Sequence, residues 1–332
     1  MKSNIKSLMI IAFLSFFLTE IILRIYSKFN YVLFASDYGI PCIERTNNNL
    51  YYSLEKNCNK SVKYNYLEKK VSFKTNSCRM RNEEEYCSRS KNKSTQKILF
   101  FGDSYTQNPY LENKYNFSKM LENKYKKNDL QYTILNYGVS GYSLRQNVDK
   151  IKKIKENKVI NDGDYIVVQF LLNDIYDVRD NPPKKIKKYL NYFYSFRVLN
   201  YLRRKMIYKN DYLDLQKIIK KDYSDNKYKK FLKHKFCEIN NIFKNQKVNL
   251  IFLYLPYMEV SNNWENYDVH NLENNISKYA KECGFENIIS VTEDLNKFNY
   301  EDLIISQEFN HHLNKKSNKI IAEKLYKFIK LN

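Results

Sequence analysis

The chain has 332 residues, enough to bury a large core in one α/β domain with appendages. It carries 57 Lys and Arg against 36 Asp and Glu, a formal charge of +21. The lysines are scattered among Asn, Ile and Tyr in every segment, without zinc-finger spacing, an RNA-recognition signature or a basic heptad, so the charge reads as a solvated surface and no nucleic-acid partner is expected.

In chain order, the first element is an apolar run from Leu8 to Leu18, which Ile21, Ile22, Leu23 and Ile25 extend to bilayer-spanning length. Glu20 interrupts it. A carboxylate in hydrocarbon is costly unless protonated, paired or near the interface, which places Glu20 toward one end with Arg24 at i+4. A cleaved signal peptide competes with this reading, since Lys2 and Lys6 supply a basic start, but no small-x-small cleavage site follows. The expectation is an uncleaved signal anchor, residues 1–30, and a single-pass membrane protein.

Basic residues flank the run on both sides (Lys2 and Lys6, then Arg24 and Lys28), so charge alone does not orient it. Cys42, Cys58, Cys78 and Cys87 cluster after it in a polar, Asn- and Lys-rich stretch. Four clustered cysteines fit disulfides in an oxidising compartment, in any of three pairings, and so an extracytoplasmic catalytic domain. Zinc is not expected, because no CxxC pair or nearby histidine is present. Cys237 and Cys283 read as single thiols. Residues 31–95 are thus a strand-and-loop appendage.

The main domain is read as 96–332. Strand-like runs recur at Ile98–Phe101, Tyr132–Leu135, Tyr165–Phe170, Val248–Leu255 and Ile288–Val291. Helical patterns lie between and after them, at Phe117–Tyr125, Leu144–Ile154 and Ile320–Ile329. This alternation predicts an α/β fold, a three-layer α/β/α sandwich around a parallel sheet of about five strands, with ligands beyond the strands' carboxyl ends. Residues 175–247, broken by Pro182-Pro183 and rich in Tyr, Phe, Leu and Lys, form a helical insertion: either outer-layer helices or a lid or membrane-facing surface.

Four short blocks follow strands or lead into helices. Ile98-Leu99-Phe100-Phe101-Gly102-Asp103-Ser104 runs a strand into a sharp turn, which presents the Ser104 hydroxyl at the sheet edge. Asn136-Tyr137-Gly138-Val139-Ser140-Gly141 follows the second strand, and Leu171-Leu172-Asn173-Asp174 the third. His311-His312-Leu313-Asn314 precedes the last helix, with Asn314 as N-cap. Glycine occurs only six times in the chain, and three of the six fall in these loops, where its backbone freedom has a use.

Together these ordered blocks resemble the SGNH hydrolase family, also called GDSL esterases and lipases, over about residues 96–331. The resemblance implies a flavodoxin-like SGNH fold without cofactor or metal. It also implies that Ser104 is the nucleophile and that the Ser104 N–H, the Gly141 N–H and the Asn173 side-chain amide form an oxyanion hole. Gly138 reads as a turn residue, and Asp103 and Asp174 as loop braces. His312 resembles the catalytic base, with adjacent His311 as the alternative. The family's Asp two or three residues before this His is missing; Asn310 and Phe309 stand there, and Glu308 is the nearest carboxylate. Either Glu308 orients the base or a Ser–His dyad operates.

The expected activity is that of a serine esterase or O-acyltransferase acting on an acyl ester of a small molecule, glycan or lipid, in particular of a cell-envelope glycan or lipid. A retired member that binds envelope polymer is the alternative that the missing Asp motivates.

Overall fold

The structure, a computed structural model, describes residues 2–26, 40–46, 49–62, 64, 67, 70–82, 95–174, 193–196, 198–199, 202, 211–306 and 310–331. The chain divides into two compact units. One comprises Met1–Gly39, Lys63–Lys70 and Asp180–Asp211, the other Ile40–Val62, Val71–Arg179 and Tyr212–Asn332.

Helix α1 (Lys2–Tyr26) belongs to the first unit. Its 21 residues Lys6–Tyr26, with a mean hydropathy of 2.2, are long and apolar enough to cross a membrane or to serve as a signal sequence.

The second unit opens with two antiparallel hairpins, β1 (Ile43–Arg45) with β2 (Tyr52–Leu54) and β3 (Asn59–Val62) with β4 (Val71–Lys74). Cys42, just before β1, is disulfide-bonded to Cys58, just before β3, and Cys78 is also in a disulfide; Cys87 lies outside the described residues. Leu50, Leu54, Phe73, Val139 and Tyr142 close a small core of their own around that bridge.

Next come β5 (Gln96–Phe101), α2 (Ser104–Gln107), α3 (Phe117–Lys127), β6 (Tyr132–Asn136), α4 (Leu144–Glu156) and β7 (Tyr165–Phe170). After the insertion follow α5 (Asp211–Ser224), α6 (Asn226–Ile242), β8 (Asn249–Tyr254), α7 (His270–Glu282), β9 (Asn287–Ser290) and α8 (Thr292–Asn296). The chain ends with β10 (Ile304–Ser306), β11 (Asn310–Leu313) and α9 (Lys315–Leu331).

The central sheet is parallel throughout, in the order β6-β5-β7-β8-β9. Counted within the sheet this is 2-1-3-4-5, the flavodoxin-like order, whose ligand crevice lies where the winding reverses, beside the carboxyl end of β5. Right-handed crossovers then put α3 on one face and α4, α6 and α7 on the other. α9 packs on α3, and α6 packs on both α4 and α7, so three layers result. All six residues of β7 are buried, as expected of a strand covered on both faces. Phe170, Phe236, Phe252 and Phe285 join sheet to helices through edge contacts, with Phe236 and Phe252 centroids 5.3 Å apart.

Cys237 and Cys283 are not single thiols. They form a disulfide between α6 and the residue capping α7, with Cα atoms 4.5 Å apart. The packing of these two helices brings together residues 46 apart in sequence, which no spacing argument could anticipate.

Candidate active site

β5 delivers the chain to Gly102, where backbone packs so tightly that a Cβ would collide with Gln169 Oε1 and Thr106 Oγ1. Glycine is required here for close approach. Asp103 caps α2, its carboxylate accepting from the Tyr105 N–H at 2.9 Å, and Ser104 is the helix's first residue. Gln169 on β7 accepts from the Asp103 N–H (3.1 Å) and the Thr106 hydroxyl (2.9 Å). The amides of Asn116 and Asn136 each donate to the Thr106 carbonyl at 2.8 Å. At the far end of α2, the buried guanidinium of Arg81 donates to the carbonyls of Gln107, Asn108 and Leu111. A four-residue helix has little stability of its own, so these side chains fix where the Ser104 hydroxyl stands.

The loop after β6 carries Gly141 at φ +78°, a conformation that disfavours any side chain, and its N–H donates to nothing among the described residues. Two contacts set its position. The Ser140 N–H donates to Gln107 Oε1 of α2 at 2.6 Å, and the Tyr52 hydroxyl of β2 donates to the Ser140 carbonyl at 3.0 Å. Gly138 sits against Thr106 and Gln107, where a Cβ would clash.

After β7, Asn173 lies in a helical turn over 172–174 that Tyr223 holds by donating to the Leu172 carbonyl at 3.1 Å. The Asn173 Nδ2 donates to the Asp103 carboxylate at 3.3 Å, beside Ser104. Asp174 accepts from the Leu171 N–H at 3.2 Å, bracing the same turn. Burial pushes the Asp103 carboxyl up to about 6; the N–H donors of Tyr105 and Asn173 oppose this and the nearby Glu259 reinforces it.

His312 is on β11, which pairs with β10 where the sequence pattern suggested only a loop. Its Nε2 lies 2.9 Å from Ser104 Oγ. His311, the next residue along the strand, faces elsewhere: its Nδ1 lies 3.1 Å from the Met258 carbonyl. Glu308 falls outside the described residues. The other ring nitrogen of His312, Nδ1, is 2.8 Å from Asn310 Oδ1, which also accepts the His312 backbone N–H at 2.9 Å. A backbone N–H can only donate, so the amide atom it meets is the oxygen; that oxygen must also receive the Nδ1 proton, leaving the Nε2 lone pair toward the serine.

A carboxylate is nevertheless present. Glu259 follows β8, with Oε1 3.6 Å from His312 Nδ1 and Oε2 accepting from the Tyr257 hydroxyl at 2.8 Å. Its side chain is 40% exposed, whereas that of His312 is 13% exposed and wedged between the rings of Tyr105 and Tyr110. Burial holds the imidazole below its ordinary value, with Glu259 pulling it back up and His311 pushing it further down.

The family model described as GDSL-like Lipase/Acylhydrolase matches residues 98–325, more than two thirds of the chain. The chain belongs to this family. As a GDSL acylhydrolase it is an ester hydrolase. Its fold is similar to solved structures at low identity. One is a psychrotrophic esterase, EstA, from Pseudoalteromonas sp. (12% identity, TM-score 0.45, covering 71% of this chain and 97% of that one). Another is an acetyl xylan esterase from Geobacillus stearothermophilus (15%, 0.43, 70% and 94%). A third is a lipase/acylhydrolase from Enterococcus faecalis (11%, 0.44, 71% and 96%). No curated protein matches the chain.

Several residues that shape this GDSL site escaped the sequence. Arg81 and Tyr52 lie upstream of the family match, Tyr52 in a hairpin whose short strands carry a weak pattern and Arg81 in the turn-rich stretch after β4. Glu259 had a usable signal: it follows a predicted strand, and the loop after that strand belongs at the sheet's carboxyl edge like the others. Among the described residues, the one cluster with metal-ligand geometry is Cys42, Glu55 and Cys58, whose two thiols are already joined to each other.

Proposed function

We propose that Ser104 and His312 act as nucleophile and base in an acyl transfer from an ester. The 2.9 Å approach of His312 Nε2 to Ser104 Oγ carries this reading. Ser104 Oγ attacks the ester carbonyl carbon while its proton passes to Nε2. The carbonyl oxygen becomes an oxyanion facing the N–H groups of Ser104 and Gly141 and the amide of Asn173; losing one such donor costs roughly a hundred- to a thousand-fold in rate. Collapse breaks the C–O bond, the leaving alcohol takes the proton from Nε2, and an acyl-serine remains. Water, or a sugar hydroxyl in a transferase, then attacks it with His312 again as base.

Asn310 Oδ1 holds the tautomer, as the family's Asp would, but cannot balance the imidazolium charge that develops. Glu259 supplies that charge from the adjacent loop, in the position that the sequence pointed to Glu308 to fill. The substrate class is an O-acyl group on a cell-envelope glycan or lipid. The apolar α1 and the disulfides support a single-pass protein with this domain outside the cytoplasm. Release of acetate from p-nitrophenyl acetate, compared with Ser104→Ala, tests the chemistry together with labelling of Ser104 by a fluorophosphonate. Equal rates and an unlabelled serine would sink it.

A further inference from the structure

The first compact unit holds a second polar construction, built around Glu20. This carboxylate is 6% exposed although the apolar side chains around it on α1 are mostly exposed, Ile22 at 56% among them. Its Oε2 accepts the Tyr194 N–H at 2.9 Å, and its Oε1 accepts the Ser195 N–H at 2.8 Å and the Ser195 hydroxyl at 2.5 Å. Residues 194–196 and 198–199 are helical, so Glu20 satisfies N–H groups that the first turn of a helix leaves without partners. Apolar and cationic contacts flank the clasp. Phe16 and Phe193 rings lie 5.7 Å apart, and the Arg24 guanidinium stands 4.9 Å over the Tyr194 ring.

Depth follows from the helix rise. At 1.5 Å per residue, Glu20 is about 9 Å and Phe16 about 15 Å from the Tyr26 end of the span. If α1 crosses a bilayer whose hydrocarbon is about 30 Å thick, a segment hydrogen-bonded at Glu20 and touching Phe16 lies within it. The segment suits that solvent. Phe193, Phe196, Leu199 and Leu202 are all exposed, Leu199 at 61%, and Phe196, Leu199 and Leu202 are helical. In hydrocarbon a bare N–H is costly because nothing around it can accept the hydrogen bond, and an unpaired carboxylate costs more. Each side of the clasp removes the other's cost.

We propose that residues 193–196, 198–199 and 202 of the insertion belong to a second membrane-inserted element, lipid-facing and clasped to the spanning helix by Glu20. The partner is the phospholipid bilayer itself. This rests on the membrane-spanning reading of α1 and is independent of the ester chemistry. The carboxylate that looked out of place in an apolar run becomes the specific feature of the anchor.

The test uses the full chain in phospholipid vesicles, with the native Trp264 replaced by Phe and single tryptophans introduced as Leu199→Trp, Phe196→Trp and Ile10→Trp. Blue-shifted emission, quenched by brominated acyl chains, is expected at all three positions. Adding Glu20→Ala should return positions 196 and 199 to water-like, unquenched emission while position 10 stays quenched. A quenched position 10 with unquenched 196 and 199 in the parent overturns the proposal. So does quenching at 196 and 199 that survives Glu20→Ala. Loss of quenching at position 10, or a mature chain lacking α1, overturns the spanning reading beneath it and leaves the serine chemistry untouched.

Discussion

In the proposed mechanism Asn310 and Glu259 divide between them what one aspartate would do, and each half makes its own prediction. Asn310→Ala removes the oxygen that fixes the Nδ1–H tautomer and should lower kcat/KM by about a hundredfold, within the usual range for general-base catalysis. Asn310→Asp keeps an acceptor and adds charge, so activity should persist with the acid limb of the pH profile moved upward. Glu259→Gln should reduce kcat/KM by about tenfold, equivalent to roughly 1.4 kcal/mol. Because Glu259 raises the imidazole pKa, its loss should move the acid limb to lower pH, and a pH–rate profile of both variants reads the two signs. The choice between His311 and His312 was legible in principle. Successive residues of a strand point to opposite faces, so Asn310 and His312 share one face and His311 takes the other. Treating the segment as a loop before a helix hid that alternation.

At the scale of elements, the five strands of the central sheet were read almost residue for residue, since buried parallel strands are short unbroken apolar runs. Helix ends were extended by polar turns that no apolar pattern marks: α9 begins at Lys315, five residues before the apolar stripe, with Asn314 accepting from the Lys316 N–H at 2.8 Å. The hairpins were least legible. β2 is three residues long and matters through one hydroxyl, that of Tyr52 beneath Ser140 and Gly141. Tyr52→Phe should lower kcat/KM about fivefold while changing the melting temperature little, since one net hydrogen bond is worth about 1 kcal/mol. A parallel fall in melting temperature and activity would instead mark Tyr52 as a packing residue.

Across the whole molecule, buried acids set the response to pH. Burial raises the Glu273 carboxyl to about 7 despite hydrogen bonds from Tyr267 and Thr292. The folded state therefore holds this proton more tightly than the unfolded chain. That stabilisation is complete below the ordinary value of 4.5 and is lost as pH rises through about 7. Asp103 adds a slope of the same sign, while His312, depressed by burial, acts oppositely as pH falls below 6.5. The melting temperature should fall between pH 5 and 8, and Glu273→Gln should flatten the curve measurably. The net charge of +21 is the surplus left after such pairs as Lys316 with Asp302 and Lys324 with the half-buried Asp294.

Arg81 gives a practical boundary. A fragment cut where the family match begins would keep Ser104, Gly141, Asn173, Glu259 and His312, the groups of the proposed mechanism. It would lose the guanidinium that ties down the far end of α2 and, with Tyr52, the prop beneath Gly141. Such a fragment would keep the contacts of Gln169, Asn116 and Asn136 but lose these two supports, so a fully active enzyme should start near Ile40, some sixty residues before Ser104.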